Sequence, residues 1–287
     1  MTKLENDFLK ITISEKGAEL TSIFRKDIQK ELLWQADASS WNRHAPVLFP
    51  FVGKLKNNSF KWQDKSYLCS QHGFARDEQF SVMFQSTESV ALKLSASQNT
   101  LQHFPFPFHL ELGYTLIKAT LSCTYKVINT GDETMYFSIG AHPGFTCPLF
   151  ENETLTDYSI MFNQDEYLNR HLLTNGLFDL REEPVITGKF LPLSEVLFAK
   201  DAIVFKNIRS SSVTLSSSRH PHKISVSFEG FPYLGIWKKP EARFICIEPW
   251  YGLADYVQHN GKLEEKEGIQ SLKSNDIFEA AYNIEIH

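Results

Sequence analysis

The sequence is poor in cysteine, with four in 287 residues: Cys69, Cys123, Cys147 and Cys246. None stands in a Cys-x-x-Cys pair, and their spacings fit no zinc template, so no metal site is expected. They read as buried, reduced thiols within strands. No run of about 18 or more apolar residues occurs, so no segment reads as a membrane span. Excess positive charge is also missing: 29 Lys and Arg against 34 Asp and Glu leave a net charge of −5. Without a basic stripe, nucleic acid is excluded as a partner. The first residues, MTKLENDFLK, lack a charged-then-apolar leader. Together these absences point to a cytoplasmic protein. Helical periodicity is nearly absent, as are Gly/Ser linkers, internal repeats and low-complexity tracts. There is no Gly-x-Gly-x-x-Gly, P-loop, His-Glu-x-x-His or Gly-x-Ser-x-Gly motif, so no cofactor is indicated.

What is present is apolar and aromatic. Hydrophobic residues make up 42% and charged residues 22%, which excludes a disordered tail, a collagen or a coiled coil. Aromatics reach 13%, with 23 Phe, and such enrichment favours strands and ring-lined pockets. Period-two alternation dominates. It runs through Ile11 and Ile13, then Val90 to Ala96, Leu110 to Leu116 and Leu121 to Val127. It returns at Val213 and Leu215, at Ile224 to Phe228 and at Tyr282 to Ile286. The Asn129-Thr130-Gly131-Asp132 turn, followed by Met135, Phe137 and Ile139, predicts a hairpin between the flanking runs. Short turns are expected near Ser39–Arg43 and Leu193–Phe198. So many half-buried strands require large antiparallel sheets packed face to face. The expectation is all-β, one large antiparallel β-sandwich with few short helices, over residues 1–287 as a single domain.

Several segments break the strand pattern and carry reactive groups. Arg43–Leu55 (RHAPVLFPFVGKL) reads as an apolar crossover loop with basic ends, including Lys54. His72–Asp77 (HGFARD) places His72, Arg76 and Asp77 within six residues. The Arg-Asp neighbours would serve equally as a surface ion pair. Gly140–Phe145 (GAHPGF) ends a buried strand on His142, aimed by a stiff Pro-Gly turn. A lone His there serves equally as a hydrogen-bonded structural residue. In Ala199–Phe205 (AKDAIVF), Asp201 precedes an apolar run, where a turn residue is also expected. Finally, Phe244–Asp255 (FICIEPWYGLAD) puts Glu248 at the end of a buried strand, where an unpartnered carboxylate is costly. Trp237 and Trp250 fit equally a core or a sugar-stacking face.

Taken in order, APVLFPFVGKL, QHGFARD, IGAHPGF, LFAKDAIVF and GIWKKPEARFICIEPWYGLAD resemble the aldose 1-epimerase (galactose mutarotase) family, and within it the LacX-like branch. The resemblance is collinear over nearly the whole chain. It implies a galactose mutarotase-like supersandwich with an open groove, a small-molecule sugar as partner, and turnover without metal or coenzyme. It also implies His142 as general acid, Glu248 as general base, and His72 and Asp201 as sugar contacts. The family's upstream Arg is replaced here by Lys54 in Gly53-Lys54-Leu55. A Lys keeps the charge but loses the planar two-pronged donor, and Arg76 is the guanidinium nearest in sequence to His72.

Anomer exchange opens the ring, rotates about C1–C2 and recloses. A proton leaves the O1 hydroxyl and another reaches ring O5, so one acid and one base are needed. The expectation places His142 and Glu248 across the groove with a sugar-sized gap, and His72 and Arg76 along the same groove. Two other readings stand beside the α/β anomer interconversion of a hexose or related aldose. One is a carbohydrate-binding protein on the same scaffold with little turnover. The other is a hexose-phosphate 1-epimerase whose phosphate sits between Arg43, Lys54 and Arg76. The sugar and the oligomeric state, a homodimer included, stay open.

Overall fold

The computed structural model describes residues 1–287. Strands occupy 51% of the chain and helices 8%, as the alternation requires. The dominant element is a 14-stranded antiparallel sheet. Its main path runs Ile139–Gly140, Phe244–Tyr251, Tyr233–Trp237, Ile203–Lys206 and Tyr158–Thr174, then Ser212–Ser217, Lys223–Ser227 and Ile277–Ile286. It finishes with Thr120–Asn129, Phe108–Ile117, Ser89–Ser95 and Ser81–Gln85. Off this path, Gly144–Thr146 pairs with Phe244–Tyr251, and Leu177–Pro192 pairs with Tyr158–Thr174. A separate four-stranded sheet holds Thr2–Glu5, Leu9–Ile13, Leu20–Arg25 and Lys30–Glu31.

Alternation becomes burial. Phe108–Ile117 buries every second side chain over nearly its whole length, the pattern of a strand with one face on the core. One cluster of 64 buried residues collects these faces from Leu4 to Ile286. The expected turn near Leu193–Phe198 is a 3₁₀ helix, Glu195–Phe198. One α-helix, Gln98–His103, escapes a reading built on strands; a capping box between Ser97 and Thr100 starts it.

The hairpin expected across Asn129–Asp132 does not form. Thr120–Asn129 is already paired with Phe108–Ile117 on one side and Ile277–Ile286 on the other. With both edges taken, Met135–Phe137 leaves and pairs with Gln270–Leu272. The Asn129 amide secures the departure, donating to the Glu133 and Leu272 carbonyls and accepting from the Gly131 N–H. The real long hairpin is Tyr158–Thr174 with Leu177–Pro192. Its turn is Asn175-Gly176, both at positive φ, 53° and 79°. Asn-Gly between strand runs is a strong hairpin signal that the alternation reading passed over.

Two features position the site. The Phe244–Tyr251 strand is buried on both faces. Ile245 and Ile247 join the main core, while Phe244 and Cys246 pack with Trp34, Trp41 and Trp237 on the other face. Glu248 shares the second face by the two-residue repeat. Second, the Arg43–Leu55 loop is anchored rather than solvated. Phe49 and Phe51 are fully buried, and Phe49 packs against Phe104, Phe108 and Phe137. Burying one such ring contributes on the order of 1.5–3 kcal/mol. The Phe49 carbonyl accepts from the Phe74 and Ala75 N–H groups, which ties the His72 segment to the same plug. Gly73 sits at φ 72°, and a Cβ there would stand 2.2 Å from the Phe49 oxygen, so this crossing admits only glycine without rearrangement.

Candidate active site

A groove of about 310 Å³ opens over the second face of the Phe244–Tyr251 strand, lined by His72, Arg76, His142, Asp201, Trp237 and Glu248 among others. That volume suits a small-molecule site. These six residues, all singled out from the sequence, are therefore brought together by a fold that collects them from separate loops and strand ends.

His142 lies between Ile139–Gly140 and Gly144–Thr146, where the chain crosses Phe244–Tyr251. The Ala141 N–H donates to the Pro249 carbonyl, and Gly144 pairs with Cys246. Side chains from these neighbouring segments project side by side. His142 Nε2 is accordingly 3.2 Å from Glu248 Oε2. The expectation of a sugar-sized gap between them is corrected: adjacent backbone segments bring the two groups into contact. The imidazole is boxed by rings, with Trp41 4.9 Å away and tilted by 30°, Trp237 edge-on at 5.7 Å and His72 edge-on at 5.6 Å. Trp250 fills the strand above, its indole against Gly235, where a Cβ would lie 2.5 Å from the ring.

Electrostatics follow from burial. Glu248 is 1% exposed, and burial followed by the nearby Asp201 charge pushes its carboxyl well above the usual carboxylate range. Burial is also the main cause that lowers His142, to about 3, with Arg76 and Arg43 adding repulsion and a backbone hydrogen bond opposing. Although the 3.2 Å contact has the reach of an ion pair, both shifts favour the neutral partners. Burial favours neutral imidazole beside neutral carboxyl, because neither charge has a strong donor to support it. Apart from the contact with His142, Glu248 Oε2 has no hydrogen-bond partner.

His72 has φ 67° and its Nδ1 accepts from the Gly53 N–H at 3.2 Å. That bond places the ring hydrogen on Nε2. Burial, then His142, pushes its pKa well below the ordinary value, so it too is neutral. Arg76 reaches the groove on a short 3₁₀ turn, donating to the Gln71 carbonyl at 2.6 Å, while its buried Nε makes no hydrogen bond and stands 3.9 Å from Asp77. Asp201 has φ 74° and its carboxylate accepts from the Ala202 N–H.

Lys54 does not line the groove. Its ammonium donates to the Asn175 carbonyl at 3.0 Å, tying the loop to the tip of the long hairpin. Arg43 is likewise engaged elsewhere, paired with Asp77 at 2.8 Å. Asp255 is buried against Lys266 at 2.7 Å and accepts from the Lys56 N–H, so it braces the loop beneath the groove. Sequence reasoning missed Trp41, read only as part of a turn, and the hairpin tip residues Leu173, Gly176 and Phe178, which form a wall. The Asn175-Gly176 turn was the signal for the latter; Trp41 had none.

The fold and the groove define an all-β protein with a buried histidine–glutamate pair at the floor of an open cleft. Comparison with known proteins sharpens this. The aldose 1-epimerase family model matches residues 1–270. The chromosomal LacX protein of Lactococcus lactis is 35% identical over 99% of this chain and 98% of its own length. A galactose mutarotase related enzyme from Lactobacillus acidophilus superposes with a TM-score of 0.96 at 34% identity, covering 99% of this chain and 96% of that one. A galactose mutarotase-like protein from Lactobacillus casei gives a TM-score of 0.94 at 33% identity over the full length of both. The chain belongs to the aldose 1-epimerase family, and its fold is the galactose mutarotase-like sandwich. No helix is long and apolar enough to cross a membrane.

Proposed function

We propose that this protein is an aldose 1-epimerase that interconverts the α and β anomers of an unphosphorylated hexose or related aldose, with His142 and Glu248 as its acid–base pair. The observation that carries the reading is their 3.2 Å contact at the buried floor of the groove. O1 and O5 are both bonded to the anomeric carbon, so the groups that serve them need to be neighbours. One proton suffices for the pair. In the tautomer with carboxylate and imidazolium, Glu248 takes the O1 proton, His142 gives its proton to O5, the C1–O5 bond breaks and C1=O1 forms. Rotation about C1–C2 and the reverse transfers give the other anomer. The neutral and charged forms of the pair hold the same number of protons, so sugar hydroxyls that solvate the charges are enough to select the reactive one. His72 Nε2–H and the Arg76 guanidinium supply hydrogen bonds to the sugar, Asp201 accepts from its hydroxyls, and Trp237 offers a face to its C–H side.

Unphosphorylated substrates are favoured by the engagement of Arg43 with Asp77 and of Lys54 with Asn175, which leaves Arg76 as the one cation of the three facing the cleft. The test is anomerisation of α-glucose, α-galactose and their 6-phosphates by polarimetry, corrected for spontaneous rates. Acceleration with a free sugar and little with its phosphate is expected. Saturable sugar binding without acceleration would instead identify a binding protein.

A further inference from the structure

Cys246 is left unused by the acid–base reading, yet it lies one step below it. It shares a strand face with Glu248, two residues away, and both are buried. His142 approaches both from the neighbouring segment. One donor atom from each of His142, Cys246 and Glu248 lies within 4.8 Å of the other two. A second observation points to a ligand: apart from His142 Nε2 at 3.2 Å, the buried Glu248 Oε2 has no hydrogen-bond partner.

We propose that His142, Cys246 and Glu248 form a three-ligand site for a borderline-soft divalent cation, Zn²⁺ or Cd²⁺, that enters through the groove and shuts down the acid–base pair. Imidazole, thiolate and carboxylate are all accepted zinc ligands, and three protein ligands with an open fourth position are a common arrangement. With metal–donor bonds of ~2.0–2.3 Å, tetrahedral neighbours stand about 3.3–3.8 Å apart. The His142–Glu248 contact is already at 3.2 Å, so only the sulfur has to close in. The thiol selects against Mg²⁺ and Ca²⁺, which take all-oxygen shells. On binding, the thiol proton and the proton held by the pair both leave, and the metal occupies the lone pairs that would otherwise carry the reaction's protons. Spacing along the chain conceals the site because His142 comes from a remote segment. The inhibitory consequence rests on the proposed epimerase reading; the binding does not.

The test titrates metal-free protein with Co²⁺ and then Zn²⁺, following absorption and heat, alongside anomerisation. One equivalent of Co²⁺ should produce a thiolate charge-transfer band that Zn²⁺ abolishes. Cys246→Ala should lose the band and the saturable zinc heat while keeping its epimerase rate, now insensitive to zinc. Cys246→Ser, closer in shape, should also lose the band and covers the case in which the alanine variant folds poorly. In the wild type, zinc should stop anomerisation and a chelator should restore it. Absence of a thiolate band in the wild type, or zinc heats unchanged in both variants, would overturn the site. A wild type that binds metal through Cys246 but never anomerises a sugar would refute the epimerase reading and leave the metal site standing.

Discussion

Replacing Glu248 with Gln and His142 with Asn, singly and together, tests whether the two groups act as one device. A positioned acid or base typically contributes about 10²–10⁴ in rate. At about 1.36 kcal/mol per factor of ten, that is roughly 2.7–5.4 kcal/mol of barrier for each group. Independent contributions would multiply to about 10⁴–10⁸ in the double variant. The 3.2 Å contact argues otherwise, since one proton shared by touching groups is useless once either partner is gone. The double variant should therefore lose no more than a few-fold beyond the worse single one. Stability should not confound the result. Glu248 is held neutral by burial, so Gln changes neither volume nor charge and should shift stability by less than about 1 kcal/mol. Asn at His142 leaves the ring box of Trp41, Trp237 and His72 incomplete and should cost on the order of 1–2 kcal/mol. The assay is catalysed anomerisation above the spontaneous rate, with thermal melts on all four proteins. Near-wild-type turnover in Glu248→Gln would refute the assignment, and the search would move to Asp201, since Asp255 is committed to Lys266. Fully multiplicative losses would refute the shared proton.

The same pair sets the pH dependence. Because His142 is lowered to about 3 and Glu248 is raised, the singly protonated pair persists across the ordinary imidazole range. kcat/KM should therefore show no inflection near pH ~6.5, and an acid limb there would show that His142 titrates like a solvated imidazole. Charging this buried His opposes the native state, so stability should fall progressively as pH drops from the ordinary imidazole range to about 3, and melts across that range that show no loss would refute the lowered pKa. Lys266→Met would strand the buried Asp255 carboxylate and should cost about 3–5 kcal/mol in chemical denaturation; a loss below about 1 kcal/mol would show that water reaches Asp255. Gly73→Ala meets both a φ of 72° and the Phe49 oxygen, so it should destabilise by more than about 1 kcal/mol and raise KM by displacing His72. Unchanged KM would separate that crossing from the groove.

Period-two runs reported which face of each strand is buried, and the 14-stranded sheet follows from them. They could not report partners. Leu121–Val127 and Met135–Ile139 alternate as hairpin arms would, but pairing is decided by which edges are free, a property of the whole sheet. The site was legible where strands break: His72, Arg76, His142, Asp201, Trp237 and Glu248 stand at turns, strand ends or flanking strands, and the fold gathers them. Lys54 was not, because its ammonium finds a carbonyl on the hairpin tip whose position no local pattern encodes. The contact between His142 and Glu248, and the thiol of Cys246 beneath them, arise from register between segments a hundred residues apart in the chain. Trp41 illustrates the same limit: a tryptophan in a turn has no period, and only the tertiary structure lays it on an imidazole.

The long hairpin has a further consequence. Its base, Tyr158–Phe162, is stitched into the sheet through Ser212–Ser217, and its stem exposes Tyr167 and Leu180. Only the tip meets the groove, through Leu173, Gly176 and Phe178, and it is moored there by the Lys54 ammonium and the Asp255 carbonyl. One wall of the cleft is thus carried on the tip of a hairpin whose base is rooted in the core through Ile160 and Phe162, whereas Glu248 stands on the buried Phe244–Tyr251 strand and His142 on the segment crossing it. Diversification of what the cleft admits can therefore proceed by exchanging a single contiguous cassette, with the reacting groups left untouched. For an engineer, residues 173–178 are the place to graft a new selectivity.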